Sequence, residues 1–360
     1  MKSHEELMLT MADVTGVLFP NEVIAAAIEQ FAEPNRVGRS VVNIDRSLQG
    51  TPGVTILIPK NVAMSATVVL EGASLTLQTP SYDSVSITMQ ILGAGAEVGD
   101  ETIEASKFNI IQDVLQNLGK ALADGEDIDI INELIDYTTS DTEALTTTGS
   151  VTLAALSYSN VIEVVEIIVT LTTTWTETLM MDYKNGVVHF SSAPSGATIQ
   201  YGYNNSVTTI DTSTAGVLNA WTINKARATV VSAGYKPDTI ICHPDQYMDI
   251  LNDSAFTEVA KYGSPRPIQN GEVGMIYGLK VLVTTNMYKG VAVVFDSTKA
   301  VTYAIKREIY TKMTREGSYA VKGTAAIMAK LWAKSGRVWD EAICMITNMQ
   351  DDAVLSAAAD

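Results

Sequence analysis

The chain has 360 residues, of which 46% are hydrophobic and 18% charged, a composition that suits a globular protein of two domains or of one domain with an insertion. The sequence excludes a membrane span, because its best apolar run contains Glu163 and Glu166. Glu5 and Glu6 stand where a signal peptide needs apolar residues, so we expect a cytoplasmic product. The net charge of −17 divides into −6 over residues 1–100, −13 over 101–216 and +2 over 217–360, which excludes the clustered basic surface of a sequence-specific nucleic-acid binder.

The first predicted elements are a helix and a long hairpin. Helical spacing of apolar residues predicts a helix within Pro20–Phe31, inside an otherwise extended arm. Alternation in Gly53–Pro59 and Thr67–Leu77 predicts two paired strands that turn at Glu71 and its neighbouring glycine. Ser84–Leu92 also alternates and predicts one strand, with one face that is wet or contacts another chain.

The strongest helical pattern in the chain covers Glu101–Ala123. Its apolar residues form one long stripe, which we expect to bury against a sheet built from late strands. The stripe consists of Ile103, Ile110, Ile111, Val114, Leu115, Leu118 and Leu122. A second helix is predicted over Asp127–Thr138, because the carboxylates of DGEDID favour a helix N-terminus.

The composition changes at about residue 139. The segment Thr139–Thr214 is rich in Thr, Ser, Val and Tyr and poor in Lys and Arg. Strand alternation in Ile167–Trp175, Gly186–Phe190 and Ala197–Tyr203, with turn residues between them, predicts an all-β insertion. We expect this insertion to fold as a semi-independent module.

The last part of the chain alternates helices with apolar strands. The predicted helices are Ala220–Ala233 and Pro244–Leu251, on either side of a short strand at Thr239–Cys242. Further strands are predicted at Leu279–Thr284, Val291–Phe295, Ala300–Tyr310, Tyr319–Met328 and Glu341–Ile346. We expect residues 351–360 to form a flexible tail.

Two groups of residues resemble ligand sites without fitting them. Gly93-x-Gly95-x-x-x-Gly99 lies between a strand and a helix, as a dinucleotide-binding motif does, but nearby carboxylates would repel a pyrophosphate, so we expect a flexible hinge. The acidic run from Asp124 to Asp129 lacks the glycine and the final glutamate of a calcium loop, and it predicts a solvated helix start.

The histidines and cysteines do not form a catalytic pattern. His4, His189 and His243 are dispersed, no GxSxG motif is present, and the adjacent Cys242 and His243 side chains are expected to point apart. Cys242 and Cys344 are expected to be reduced, buried and inert. The sequence therefore predicts no enzyme, no cofactor and no metal site.

Several stretches, taken in order, resemble a tailed-phage major capsid protein of the Hong Kong 97-type (HK97-like) fold. The N-arm, the extended loop and the start of the spine helix of that family resemble NEVIAAAIEQF, LQGTPGVTILIPKNV and LEGASLTLQTPSYDSVSITMQILGAGAEVGDETIEAS. The axial domain and its return to the peripheral domain resemble TIICHPDQYMDIL, GEVGMIYGLKVLVTTNM and VAVVFDSTKAVTYAIKREI. The resemblance covers residues 20–138 and 217–347 and leaves the β-rich insertion unmatched.

The resemblance implies an α+β, HK97-like capsid fold with an inserted all-β domain. The implied parts are an N-terminal arm (1–52), an extended loop hairpin (53–92), a peripheral domain with the spine helix (93–138 and 300–350), the insertion (139–216), an axial domain (217–299) and the flexible tail (351–360). The implied contacts of the extended loop with a neighbouring subunit involve Val62, Met64, Val68, Leu70, Glu71, Leu75 and Leu77. Because the axial domain lies at the capsomer centre in this family, we expect the insertion outside the shell.

The implied function is that of a structural protein, which assembles as hexamers and pentamers into an icosahedral shell around double-stranded DNA. An arm helix and an uncovered two-faced hairpin independently predict an obligate assembler, because exposed apolar faces invite aggregation unless neighbours cover them. The implied location is the virion, after synthesis in the host cytoplasm.

The implied partners are other copies of the chain and packaged DNA without sequence-specific contact, with no membrane. Further implied partners are a portal and a decoration protein. Because the chain begins directly at the arm, with no long charged segment ahead of it, a separate scaffolding protein or none is implied. Two alternatives stay open. One is an encapsulin-type nanocompartment shell on the same fold, and the other is a soluble nucleotide-binding enzyme, supported only by the glycine motif.

Overall fold

A computed structural model describes residues 21–33, 36–61, 64, 66, 68, 74, 77, 79, 82–99, 101–102, 110–140, 143–144, 153–155, 161–169, 178–182, 187–190, 197–204, 207–212, 217–253, 275–314, 322–347, 349 and 353–356. The predicted site residues Val62, Leu70, Glu71, Leu75 and Ile103 lie outside this set. Within it, no helix is both long enough and apolar enough to cross a bilayer.

The described residues contain both α-helices and β-strands. The α-helices are α1 (Asn21–Ala32), α2 (Ile110–Ile135), α3 (Ala220–Ser232) and α4 (Pro244–Asn252). The first strands are β1 (Asn43–Asp45), β2 (Thr55–Asn61), β3 (Tyr82–Thr88), β4 (Gln90–Gly99), β5 (Tyr137–Thr139), β6 (Glu143–Ala144), β7 (Leu153–Ala155), β8 (Val161–Val169), β9 (Thr178–Asp182) and β10 (Val187–Phe190). The others are β11 (Ala197–Asn204), β12 (Thr208–Asp211), β13 (Thr239–Cys242), β14 (Met275–Ile276), β15 (Leu279–Val283), β16 (Ala292–Phe295), β17 (Val301–Thr314), β18 (Thr324–Arg337), β19 (Ile343–Thr347) and β20 (Ala353–Ser356).

The described strands pair into several sheets. Two have the orders β1-β17-β18-β4 and β12-β19-β16-β13-β15-β14, and β2 with β3 forms a separate ribbon. Two smaller sheets, β20-β9-β10-β7 and β5-β11-β6 with β8 also on β11, contain strands of the β-rich segment.

The chain divides into two compact units. The first contains Met1–Arg36, Gln90–Gly125 and Arg307–Ala333, and the second contains Val37–Met89, Glu126–Lys306 and Lys334–Asp360. This division does not test the six parts expected from the sequence, so their boundaries stay predictions.

In the first unit, α2 lies between α1 and β4, with a glycine at each close approach. A Cβ added to Gly119 would lie 2.8 Å from the carbonyl oxygen of Ile28 on α1. A Cβ added to Gly125 would lie 2.9 Å from Cδ2 of Leu92 on β4. The arm helix therefore packs on its own chain, and α1 buries Ile24, Ala27, Ile28 and Ala32.

The predicted stripe on α2 differs in burial along its length. Leu115, Leu118 and Leu122 are buried, whereas Ile110, Ile111 and Val114 are half-buried. In the same unit, β18 buries Ala325, Ile327, Ala329 and Leu331. That the stripe forms the contact between α2 and a sheet stays a prediction. The substitution of Leu115 tests it.

Replacing Leu115, which is buried, with Ala is expected to lower the free energy of unfolding by about 2 to 5 kcal/mol, because the lost side chain leaves a cavity. Urea unfolding followed by circular dichroism measures the change. Asn117→Ala, at an exposed position of the same helix, is the matched control and should change stability by less than about 0.5 kcal/mol. Equal midpoints for the two variants would contradict the placement of Leu115 in the core.

The glycine-rich segment after Leu92 is a strand and not the predicted hinge. Strand β4 pairs antiparallel with β18 from Gln90 opposite Ala333 to Gly99 opposite Thr324. Met89 separates β3 from β4, so the prediction of one strand over Ser84–Leu92 is also wrong. Because the glycine motif lies inside a strand, it does not form the loop at a helix N-terminus that binds a pyrophosphate.

The spine helix α2 is continuous to Ile135, so the prediction of a second helix starting at Asp127 is wrong. The predicted solvated helix start is wrong as well, because Glu126 and Asp127 are fully buried. Oδ1 of Asp127 accepts the backbone N–H of Gly38 at 2.8 Å, and Oδ2 accepts that of Val37 at 3.0 Å. A buried carboxylate is stable here because it caps the short 3-10 helix Gly38–Val41.

Further along α2, carboxylates bind the end of β18. Asp129 accepts hydrogen bonds from Lys334 Nζ and from the backbone N–H of Ser335, the latter at 2.8 Å. Glu133 lies 3.6 Å from the same ammonium group, and Asp136 pairs with Arg337 at 3.0 Å. Burial raises the pKa of Glu133, with a smaller contribution from the charge of Asp129. The acidic run is therefore a set of structural anchors.

Removing the Asp127 carboxylate is expected to destabilise the second unit strongly. Asp127→Ala leaves the buried N–H groups of Val37 and Gly38 without their acceptor, at a cost of about 2 to 4 kcal/mol in the free energy of unfolding. Asp113→Ala, at an exposed position on α2, is the control. Thermal unfolding of both variants checks the prediction, and unchanged stability of Asp127→Ala would show that water replaces the carboxylate.

The six-stranded sheet forms the core of the second unit. Its central strands β13, β16 and β19 are buried at every position, which explains their uninterrupted apolar sequences. α3 and α4 pack on this sheet through Ile223, Val230 and Ile250. β12 also belongs to it, parallel to β19, although the sequence placed residues 208–211 in the insertion.

The described strands of the β-rich segment agree with the prediction in part. Of the expected strand Ile167–Trp175, residues 167–169 end β8 (Val161–Val169), which begins earlier than expected and pairs antiparallel with β11, and residues 170–175 lie outside the described residues. Ala353–Ser356, expected in a flexible tail, pair with β9 instead. The other predicted strands, within Gly186–Phe190 and Ala197–Tyr203, form as β10 and β11.

Candidate assembly surfaces

The extended loop is a two-stranded ribbon with two different faces. β2 pairs with β3, from Thr55 opposite Thr88 to Asn61 opposite Tyr82, a partner other than the predicted Thr67–Leu77, most of which lies outside the described residues. Both segments alternate, and alternation alone does not choose between them. One face carries the half-buried or buried side chains Ile56, Ile58, Val85 and Ile87. The other face, with Leu57 among small polar residues, is exposed.

The base of the ribbon is fixed to the second unit. Ile87 lies against Gly336, where an added Cβ would overlap with the isoleucine side chain. Lys60 Nζ lies 5.2 Å from the centre of the Trp339 ring, a distance at which a cation is attracted to the aromatic face. Because Gly336 has no side chain, the inner face of the ribbon sits directly on β18, and the outer face is left uncovered.

Large apolar side chains stand exposed on and beyond this ribbon. Of the predicted inter-subunit residues, Met64, Val68 and Leu77 are described, and Val68 and Leu77 are 95% and 86% exposed. Leu57, which is 65% exposed, and Tyr82 were not among the predicted inter-subunit residues. The alternation of β2 does place Leu57 on the face of the ribbon away from Ile56 and Ile58. A single chain gains nothing by exposing such residues, and their burial by a neighbour stays a prediction.

The axial helices carry a second exposed apolar surface. Trp221, on the first turn of α3, is 65% exposed, and Lys225 Nζ lies 5.0 Å from its ring centre. Val217 and Met248 are also exposed, and their chain neighbours Leu218 and Asp249 are joined by a hydrogen bond of 3.2 Å from the Leu218 N–H to the Asp249 carboxylate. This surface had no counterpart among the predicted site residues.

The cysteines and His243 have structural surroundings. Burial raises the pKa of Cys242 to about 12 and that of Cys344 to about 12, so neither thiolate forms readily at neutral pH. Nδ1 of His243 accepts the backbone N–H of Asp245 at 3.2 Å and so serves as a helix cap. The ring is therefore not positioned as a base for the adjacent Cys242.

Solved structures with a similar fold are capsid and particle proteins. The capsid structure of cyanophage P-SCSP1u has a TM-score of 0.56 and 11% identity, over 87% of this chain and 88% of that one. The Mycobacterium phage Che8 structure has a TM-score of 0.56 and 14% identity, over 88% and 92%. A virus-like particle from Pyrococcus furiosus has a TM-score of 0.52 and 10% identity, over 90% and 97%. These similarities show the HK97-like fold that the resemblance predicted.

A search of curated proteins finds no match. The sequence profile described as "Phage capsid protein" matches residues 82–332. This span runs from β3 at the exposed ribbon through the spine helix and the axial sheet to β18, which is well over half of the chain. With the shared fold, it shows that the chain belongs to the phage capsid protein family.

Proposed function

We propose that this capsid protein assembles as hexamers and pentamers into an icosahedral shell that encloses double-stranded DNA. The observation that carries the proposal is the β2–β3 ribbon, which lies against Gly336 and exposes Leu57, while Val68 and Leu77 are exposed in the segment between its two strands. Covering these residues requires another chain, and a copy of the same chain supplies the required apolar surface in a closed assembly.

The charge of the chain supports enclosure of DNA without a DNA-binding site. The net charge is −17, and residues 101–216 alone contribute −13. An acidic surface repels phosphates, so DNA is held by the closed shell and not by specific contacts. We propose the virion as its location and, as further partners, a portal, a decoration protein and a separate scaffolding protein.

The β-rich insertion is proposed to lie on the outer surface of the shell. The segment 139–216 carries one basic residue, Lys184, and a composition of Thr, Ser and Tyr that suits a solvated module. A decoration protein would bind this face.

Electron microscopy of the purified protein, with nuclease treatment, tests the proposal. The expected result is closed shells of uniform diameter which, when isolated from infected cells, contain nuclease-protected DNA. Monomers or irregular aggregates at all concentrations would contradict it.

A second candidate function is a protein compartment shell. The similarity to the virus-like particle from Pyrococcus furiosus, at a TM-score of 0.52, favours it as an alternative on the same fold. Shells that contain a defined protein in place of DNA would support the compartment over the capsid.

A further inference from the structure

The N-terminus of α4 is capped by an imidazole ring. His243 is the N-cap residue, with extended backbone angles (φ −74°, ψ 154°), and Pro244 occupies the first helical position. Nδ1 of His243 accepts the backbone N–H of Asp245 at 3.2 Å. An N-cap must accept this hydrogen bond, so Nδ1 must be unprotonated for the cap to exist.

Two charged side chains face the His243 ring. The Asp245 carboxylate, on α4 itself, has Oδ2 at 3.4 Å from Nδ1. Lys289, in the segment before β16, pairs with the same Oδ2 at 3.1 Å. Burial and the charge of Lys289 lower the pKa of His243, and the charge of Asp245 opposes them without reversing the direction. Asp249, one turn further along α4, also interacts with Asp245.

α4 in turn caps the N-terminus of α3. Oδ2 of Asp249 accepts the backbone N–H of Leu218 at 3.2 Å, and Oδ2 of Asp253 accepts that of Ala220 at 2.8 Å. Asn219 and Thr222 complete the start of α3 with a reciprocal capping box. The first turn of α3, which carries Trp221, therefore depends on the position of α4.

We propose that His243 is a pH-sensitive lock on the pair of helices α3 and α4. Protonation at Nδ1 converts the ring from an acceptor of the Asp245 N–H into a donor toward the Asp245 carboxylate. The cap is then lost, and the charged ring places a positive charge at the N-terminus of α4, where it is unfavourable. The ring also competes with Lys289 for the Asp245 carboxylate. The first turns of α4 and α3 loosen together. The inference does not depend on the proposed DNA-filled shell, since it concerns one chain.

The direction of the pH effect follows from proton binding. Because the folded state lowers the pKa of His243 below its ordinary value of 6.5, the folded chain binds fewer protons than the unfolded chain as the pH falls through this region. The contribution of the cap is present above the unfolded pKa. It is lost as the pH falls from 6.5 through the lower folded pKa.

Hydrogen exchange measured by mass spectrometry on the full chain tests the lock. His243→Asn is the central variant, because asparagine is a good N-cap that does not titrate. Wild type and His243→Asn are compared at pH 7.5 and at pH 5.5, each pair at the same pH so that the chemical exchange rate cancels. His189→Gln, on strand β10, controls for the other described histidine.

At pH 7.5 the two proteins should exchange alike in peptides from α4 and from the start of α3. At pH 5.5 wild type and His189→Gln should exchange faster than His243→Asn in these peptides, by up to about fivefold, the ratio expected for complete loss of one cap. Equal exchange of wild type and His243→Asn at both pH values would overturn the proposal. If His243→Asn does not fold, His243→Ser provides the same non-titrating cap.

Discussion

Deletion of residues 62–80 is expected to leave a folded protein that no longer assembles into shells. The base of the ribbon is held by Gly336 and Trp339 through contacts with β2 and β3, so the deletion can be closed by a short turn without loss of the core. It removes Val68 and Leu77, which are almost fully exposed. Size-exclusion chromatography with light scattering measures assembly, and circular dichroism measures folding.

A point substitution separates the apolar surface from loop length. Leu57→Asp places a charge on the outer face of the ribbon and should also abolish assembly, whereas Leu57→Met keeps an apolar side chain and should assemble. Shells of normal size from the deletion variant or from Leu57→Asp would show that the ribbon is not an inter-subunit contact.

Excision of residues 141–200 is expected to give a soluble protein, whereas excision of 141–212 is expected to give an aggregating one. Ser140 and Tyr201 are neighbours across β5 and β11, with the Ser140 N–H donating to the Tyr201 carbonyl at 2.8 Å. An Asn-Gly linker can therefore close the narrow deletion as a two-residue hairpin. The wider deletion also removes β12, which pairs with β19.

The difference between the two deletions has a physical cause. Without β12, the buried strand β19 becomes an unpaired edge of the six-stranded sheet, and unpaired apolar edges associate with other chains. Soluble yield and light scattering compare the variants. Assembly of the narrow deletion is also expected if the insertion lies outside the shell. Aggregation of both variants would mean that the insertion is not separable from the body.

Elements with strong local patterns could be predicted from the sequence. The arm helix, the apolar strands β13, β16 and β19, and the helices α3 and α4 form within a few residues of their expected bounds. These segments combine a clear period with turn or capping residues at their ends, as with Asn219 and His243.

The structure of the acidic run could not be predicted, because it depends on partners distant in sequence. Asp127 looks like part of a solvated helix start until Val37 and Gly38 supply the N–H groups that make its burial favourable. Nothing in the local sequence of DGEDID indicates these partners.

The pairing of the extended loop escaped prediction for a different reason. Thr67–Leu77 and Tyr82–Thr88 both alternate, so alternation does not identify the partner of β2. β3 pairs with β2 and places Ile87 against Gly336, a contact between residues distant in sequence. Met64, Val68 and Leu77 came from the family resemblance and are exposed, and their contact with a neighbour stays a prediction. Trp221 was missed, because an aromatic residue at helical spacing is more often part of a core.

Cryo-electron microscopy of the assembled particle tests the central claim most directly, because it locates the ribbon relative to the subunit boundary. The expected map shows a closed icosahedral shell in which the face of β2 and β3 that carries Leu57 is covered by an adjacent copy. A shell in which Leu57, Val68 and Leu77 contact only their own chain or solvent would contradict the account.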